Sequence, residues 1–225
     1  SLRTVDDFAN LSRVLVERGD VTASRKIAAE MKREWRGDKQ AELASLVTES
    51  LCLKSEGSAD KARHLVDQAL TLQKAISDEA AEKGKHVSQR LAIDLAHACY
   101  ATGKEDEATK IMRKVAAENH EDKNLIEQIT NVFEKTGQTD AGKMLLEQVG
   151  KEIVELNNRG VMAARSGDLV GAVQLLIQAV EQVPNLQFLV NAAKAIFALM
   201  DQKGWDEVLA AQALDYLQRA QRKDR

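Results

Sequence analysis

The sequence predicts an all-α fold, a right-handed superhelical solenoid of about six helix-turn-helix units. Gly19, Gly57, Gly103, Gly137, Gly167 and Gly204 each follow one amphipathic stretch and precede another, at separations of 38, 46, 34, 30 and 37 residues. Two helices and a tight turn occupy a period near 34 residues, and units of that size bury their apolar faces only by stacking on neighbours. Between the glycines, apolar residues recur at helical spacing, and no stretch alternates with period two for long. Hydrophobic residues make up 44% of the chain, aromatic residues only 4%, and there is one proline, so strand formers are sparse and a substantial core is available.

Each unit follows from its own residues. After Gly19 come Ser24, Ala28 and Met31. Around Gly57, Ala62, Val66 and Ala69 carry the second helix, while the first, Leu46 to Lys54, runs one residue out of step. Leu95, Ala96, Ala108, Met112 and Val115 fall in register around Gly103. Ile129 and Phe133 precede Gly137, and Gly142, Leu146 and Val149 follow it. The Gly167 unit is the most regular, with Leu156, Gly160, Ser166-Gly167-Asp168, Ala172, Leu176 and Ala179. Gly160 and Ala172 let its two helices approach without Cβ clashes, and Pro184 with Asn185 stops the second helix. The Gly204 unit departs, with Phe197 and Leu209 where small residues are expected. Its second helix repeats Trp205, Val208, Leu209, Ala213, Tyr216, Leu217 and Ala220 in an i, i+3, i+4 stripe, the pattern of a helix closing an array.

Two separations break the rhythm. The long one, 46, places its excess in Gln73 to His86, where Gly84 separates one long helix from the next. The short one, 30, leaves no room for a loop. Either Gly150 caps a helix or the helices fuse across it, and the shortened connection with a cap is expected. Fusion would swing the following residues away and leave apolar surface for a second copy to cover. The organisation expected is one continuous array, diverged repeats over 1–150 and a better-matched unit with a closing pair over 151–225, as a fragment of a longer protein.

Composition excludes several classes. A net charge of −3 offers no basic face for nucleic acid or an anionic membrane. The basic cluster Arg219, Arg222, Lys223 and Arg225 reads as a helix terminus suited to the dipole. Cys52 and Cys99 read as small buried thiols in a reducing, cytoplasmic setting. No apolar run approaches the roughly 18 residues that span a bilayer. The chain starts at Ser1 rather than a methionine, so a preceding segment is expected. His64, His86, His97 and His120 form no metal-ligand spacing, and no glycine pair is spaced to cradle phosphate. No catalytic residue, cofactor or metal is expected, and the chain is read as not an enzyme.

The last third carries a closer resemblance. It reads Glu155-Leu156-Asn157-Asn158-Arg159-Gly160-Val161, Ser166-Gly167-Asp168, Ala172-Val173 to Ala179, Pro184-Asn185, Asn191-Ala192-Ala193 and Gly204-Trp205-Asp206. The Gly167 unit resembles a tetratricopeptide repeat, departing at Arg159, where leucine is usual, and at Ala163, where a large aromatic is usual. Residues 151–225 as a whole resemble the C-terminal tetratricopeptide region of bacterial response regulators, in which a CheY-like receiver precedes a helical array; the preceding residues match only as diverged repeats. The resemblance implies an output or scaffold domain in two-component signalling. The receiver's βα alternation and acidic pair are not in this chain, so no phosphoacceptor role is implied for it.

In tetratricopeptide arrays the first helix of each pair lines the concave face. That selects Arg90, Asp94 and His97, then Asn124, Gln128 and Asn131 at i, i+4, i+7 on one helix face, then Asn158, Asn191 and Lys194. Amides and single charges suit an extended peptide, the amides bonding its backbone and the cations its carboxylates. Each residue also reads as ordinary surface, and Asn157, Asn158 and Asn191 also read as buried amides tying adjacent helices. The carboxylate clamp of tetratricopeptide co-chaperones is missing, since Ala9 with Arg13 and Val47 with Leu51 stand at its positions. The function expected is a non-catalytic protein-protein interaction module with a protein or peptide partner and a second copy as a candidate partner. The alternatives are an assembly scaffold of pili or the cell envelope, and a ligand-sensing helical array.

Overall fold

The computed structural model describes residues 4–83, 88–119 and 122–223, which hold eleven α-helices and no strand. They are α1 (Val5–Glu17), α2 (Val21–Glu34), α3 (Lys39–Ser55), α4 (Ala59–Lys83), α5 (Gln89–Ala101), α6 (Glu105–Glu118), α7 (Lys123–Lys135), α8 (Thr139–Arg165), α9 (Leu169–Gln182), α10 (Leu186–Lys203) and α11 (Glu207–Lys223). Gly84, His86 and His120 lie outside the described residues.

One local device ends five of these helices. Gly19, Gly57, Gly103, Gly137 and Gly167 all take φ between 74° and 90°, a left-handed conformation that only glycine adopts without Cβ strain. The residue after each glycine then donates its N–H to the carbonyl five positions back: Asp20 to Leu15, Ser58 to Leu53, Lys104 to Cys99, Gln138 to Phe133 and Asp168 to Ala163, at 2.8–3.0 Å. This closes the helix end and satisfies carbonyls that would otherwise be orphaned. Asp20 and Asp168 also start the next helix, accepting from the N–H of Ala23 and Gly171 at 3.0 and 2.9 Å. The sixth turn differs. Gly204 sits at φ 100°, ψ 169°, and Asp206 starts α11 by accepting from Val208 and Leu209. Gly37, at φ 85°, is a further left-handed glycine, between α2 and α3, that the period does not point to.

The chain divides into two compact units, one of residues 1–115 with 127–139, the other of 116–126 with 140–225. The division falls at the start of α8 rather than near Gly150. In the first unit α3 is the centre, packed on α1, α2, α4 and α5. Accordingly Leu43, Ala44, Val47, Leu51 and Cys52 are all buried on it. The small positions seven residues before the turn glycines, Ser12, Ser50 and Ala96, are sealed, as are Ser24, Ala62 and Ala108 five residues after them. Ser24 Oγ donates to the Ser12 carbonyl at 2.9 Å, a contact that only small side chains permit between α1 and α2. Helix α1 also packs on α5, so the first helices of three successive pairs meet. The 25 residues of α4 absorb part of the long glycine separation as extra helical turns.

In the second unit the expected cap at Gly150 does not form. Helix α8 runs unbroken for 27 residues, and its buried residues Gly142, Leu145, Val149, Ile153, Asn157 and Gly160 keep one face throughout. No proline or helix-stopping cluster interrupts the sequence here. Continuing through a glycine costs only about 1 kcal/mol, less than leaving a new pair of helix ends to be satisfied. Gly160 then lets α9 approach: a Cβ there would lie 2.6 Å from Leu176 Cγ and 2.9 Å from its Cδ2. Helix α10 packs on α9 and α11 on α10. The apolar stripe of α11 is only partly buried: Ala213, Tyr216 and Ala220 are buried, while Val208, Leu217 and Trp205, which falls in the turn before the helix, stand exposed. Spacing alone placed those three on the closing face. A helix packed on one neighbour buries a single stripe, and these three residues lie to the side of it.

Candidate functional site

Three helices of the first unit bring one charged cluster together. Helix α1 supplies Arg13 and Glu17, one turn apart; α5 supplies Asp94 and His97; α7 supplies Gln128, Asn131 and Lys135. With Ile93 and Val132 these line a cavity of about 60 Å³, room for about two water molecules and too small for a peptide. Arg13 Nε lies 3.2 Å from Asp94 Oδ1, and Arg13 Nη1 lies 2.7 Å from Glu17 Oε1. Lys135 Nζ lies 2.6 Å from the same Glu17 oxygen. At the cluster's edge Arg13 Nη2 donates to Asn10 Oδ1, and Ser88 Oγ donates to Asp6 Oδ1.

Burial sets the electrostatics. It pushes the Asp94 carboxyl up to about 7, against the pull of Arg13, with the charges of Glu17 and Asp6 adding to the rise. Burial also pushes His97 below its ordinary value, favouring the neutral ring. For Glu17 burial again pushes upward, but Lys135 and Arg13 together outweigh it and hold the carboxyl below its usual range. The arrangement therefore ties α1 to α7 through the Glu17–Lys135 ion pair and α1 to α5 through the Arg13–Asp94 contact, where burial disfavours the charged carboxylate.

The structure thus gathers Asp94, His97, Gln128 and Asn131 around one cavity, with the two α5 residues engaged inside the fold and Asn131 at its rim, exposed. Arg90 stands exposed on α5 and Asn124 exposed in the first turn of α7. In the second unit Asn158 and Lys194 are exposed. Asn191 instead donates to Asn157 Oδ1 at 3.1 Å and accepts from Gln187 at 2.8 Å. With Asn157 buried, this pair is a tie between α8 and α10, the amide bridge that was the competing reading of these residues. Sequence reasoning passed over Glu17 and Lys135 and met Arg13 only as a missing clamp position. The Arg13 and Glu17 spacing of four on one helix is a visible pairing signal. Nothing local joins Glu17 to Lys135, 118 residues on.

A wider groove of about 580 Å³ runs between α3 and α4, lined by Glu42, Leu46, Asp67, Gln68, Thr71, Leu72 and Ala75, and none of the predicted residues reaches it. Cys52 and Cys99 are free, buried thiols, and burial pushes Cys99 up to about 12, so it stays protonated. Among the described residues no group of three or more His, Cys, Asp or Glu is placed to hold a metal ion, and no helix is long and apolar enough to cross a membrane. Neither a protein-family model nor a curated protein matches the sequence.

Proposed function

We propose that the chain is a tetratricopeptide-type array of about six helix pairs, wound as a right-handed solenoid, that binds a protein or peptide partner without catalysing a reaction. One observation carries the reading: five turns share one left-handed glycine geometry, and the small or apolar residues five and twelve positions after each glycine are all buried. Eleven helices rather than twelve follow from the fusion of two first- and second-position helices into α8. Such arrays offer surface rather than a reactive pocket, and the tight charged cavity in the first unit, lined by the chain's own ion pairs, is consistent with that. In its parent protein the array serves as the output or scaffold region of a bacterial two-component response regulator, a reading supported by the residue pattern of 151–225.

With Asp94, His97 and Asn191 engaged internally, the partner-facing residues are the exposed ones: Arg90 and Asn131 in the first unit, Asn124, Asn158 and Lys194 in the second. The test is affinity capture from a lysate of the parent bacterium, followed by calorimetry with the purified partner. Arg90→Glu or Lys194→Glu should weaken binding by about tenfold, the worth of one charge-assisted contact. Unchanged affinity in both variants would move the interface elsewhere. A captured partner unrelated to two-component signalling would remove the response-regulator assignment.

A further inference from the structure

The large apolar side chains that stand exposed gather in the second unit, and the densest group lies on its last hairpin. On α10, Leu186 and Phe197 are 41% and 40% exposed, with half-buried Val190 and buried Ala193 completing the same stripe. On α11, Leu214 and Leu217 are 53% and 38% exposed, beside buried Ala210. Helical spacing turns both stripes away from Asn191 and Tyr216, the residues through which α10 and α11 meet the rest of the unit. The opposite side belongs to the rest of the unit: Asn191 of α10 reaches α8, and the Gln212–Tyr216 side of α11 lies toward α9, where the charge of Glu181 acts on Tyr216. Contiguous exposed apolar side chains rimmed by charge mark an interaction surface.

The charges at its two ends say what covers it. Asp201, Asp206 and Glu207 lie at the tip of the hairpin, against a single cation, Lys203. Arg219 and Arg222 lie toward its open end, where Asp215 pairs with Arg219 alone. A second hairpin of the same kind, laid antiparallel, sets acidic tip against basic end at both extremities and apolar stripe against apolar stripe between them. Leu214 then sits close to the symmetry axis, with Glu207 and Arg222 at similar distances along α11 on either side. Two adjoining helices about 26 Å long and roughly 10 Å apart present a face on the scale of the roughly 800 Å² per partner of a standard interface. A two-fold axis makes such a patch its own complement.

We propose that the α10–α11 seam is where a second copy of this chain docks, antiparallel, across a two-fold axis. Sedimentation equilibrium at about 100 μM, well above a micromolar dissociation constant, should give twice the 24.8 kDa chain mass. Phe197→Glu with Leu214→Glu, both at exposed positions, should return the mass to that of one chain with unchanged circular dichroism. Met162→Glu, at a more exposed position on α8, should leave the dimer intact. Glu207→Arg should weaken the dimer about tenfold, and adding Arg222→Glu should restore it. A wild-type monomer at that concentration overturns the proposal, even if the same seam captures a different protein. So does a dimer indifferent to the seam variants.

Discussion

Asp94→Asn is the most informative single change in the charged cluster. The Asp94 side chain is only 15% exposed, and Glu17 and Asp6 add negative charge around it, while Arg13 and Lys135 oppose them. Carrying that carboxyl from an ordinary 3.8 to about 7 means that its ionised form costs the folded unit about 4 kcal/mol above neutrality. The sign follows from proton counting. Below about pH 4 both folded and unfolded chains hold the proton, so the site costs nothing. Between about 4 and 7 only the folded chain holds it, and stability falls as pH rises. The amide variant has no proton to lose and keeps an oxygen for Arg13. It should match wild type near pH 4 and exceed it by up to about 4 kcal/mol near pH 8. His97, pushed down, contributes a slope of the opposite sign just below its ordinary value, and Glu17 loses its contribution as pH falls through its depressed value. Both groups are common to the two proteins, so the difference isolates the Asp94 carboxyl. Urea unfolding across this range, followed by fluorescence, reads the first unit through Trp35, packed edge-on against Phe8 with ring centroids 5.2 Å apart. Trp205 is 74% exposed and changes little on unfolding. A variant less stable than wild type at pH 8 would refute the reasoning, because the Arg13 ion pair would then outweigh desolvation.

Three further outcomes test the packing. Gly160→Ala sets a methyl within 3 Å of the fully buried Leu176, so overpacking of about 1–3 kcal/mol outweighs the roughly 1 kcal/mol that alanine returns in helix preference. Thermal melting of the second unit should shift down. Gly57→Ala meets no atom within 4 Å but must hold φ near 80°, so it should lose about 1 kcal/mol from conformation alone, and Gly57→Asn less, by chemical denaturation. Ser12→Ala removes a buried hydroxyl that has no hydrogen-bond partner and keeps the carbonyl that Ser24 uses, so stability should rise by about 1 kcal/mol, read from the same urea curves.

Two comparisons show how sequence and structure divide the work. Asn157 and Asn191 are a fixed interval apart in equivalent places of successive pairs, and their amide tie was one of the readings open from sequence. The contact of Arg13 with Asp94 was not, because each residue taken alone is an ordinary polar position on an amphipathic helix. Gly150 shows the middle case. The short separation announced an anomaly there, but cap and continuous helix differ by little in local energy, and the uninterrupted buried face of α8 chose between them.

The chain alone determined its all-α character, the glycine turns and the small residues beside them, because backbone conformation and helix amphipathicity are short-range properties written into neighbouring residues. Tertiary structure decided which polar side chains were engaged with one another and which apolar ones lay open at α10 and α11. Those outcomes depend on desolvation and on partners supplied by helices distant in the chain, and no local pattern records which helix will arrive.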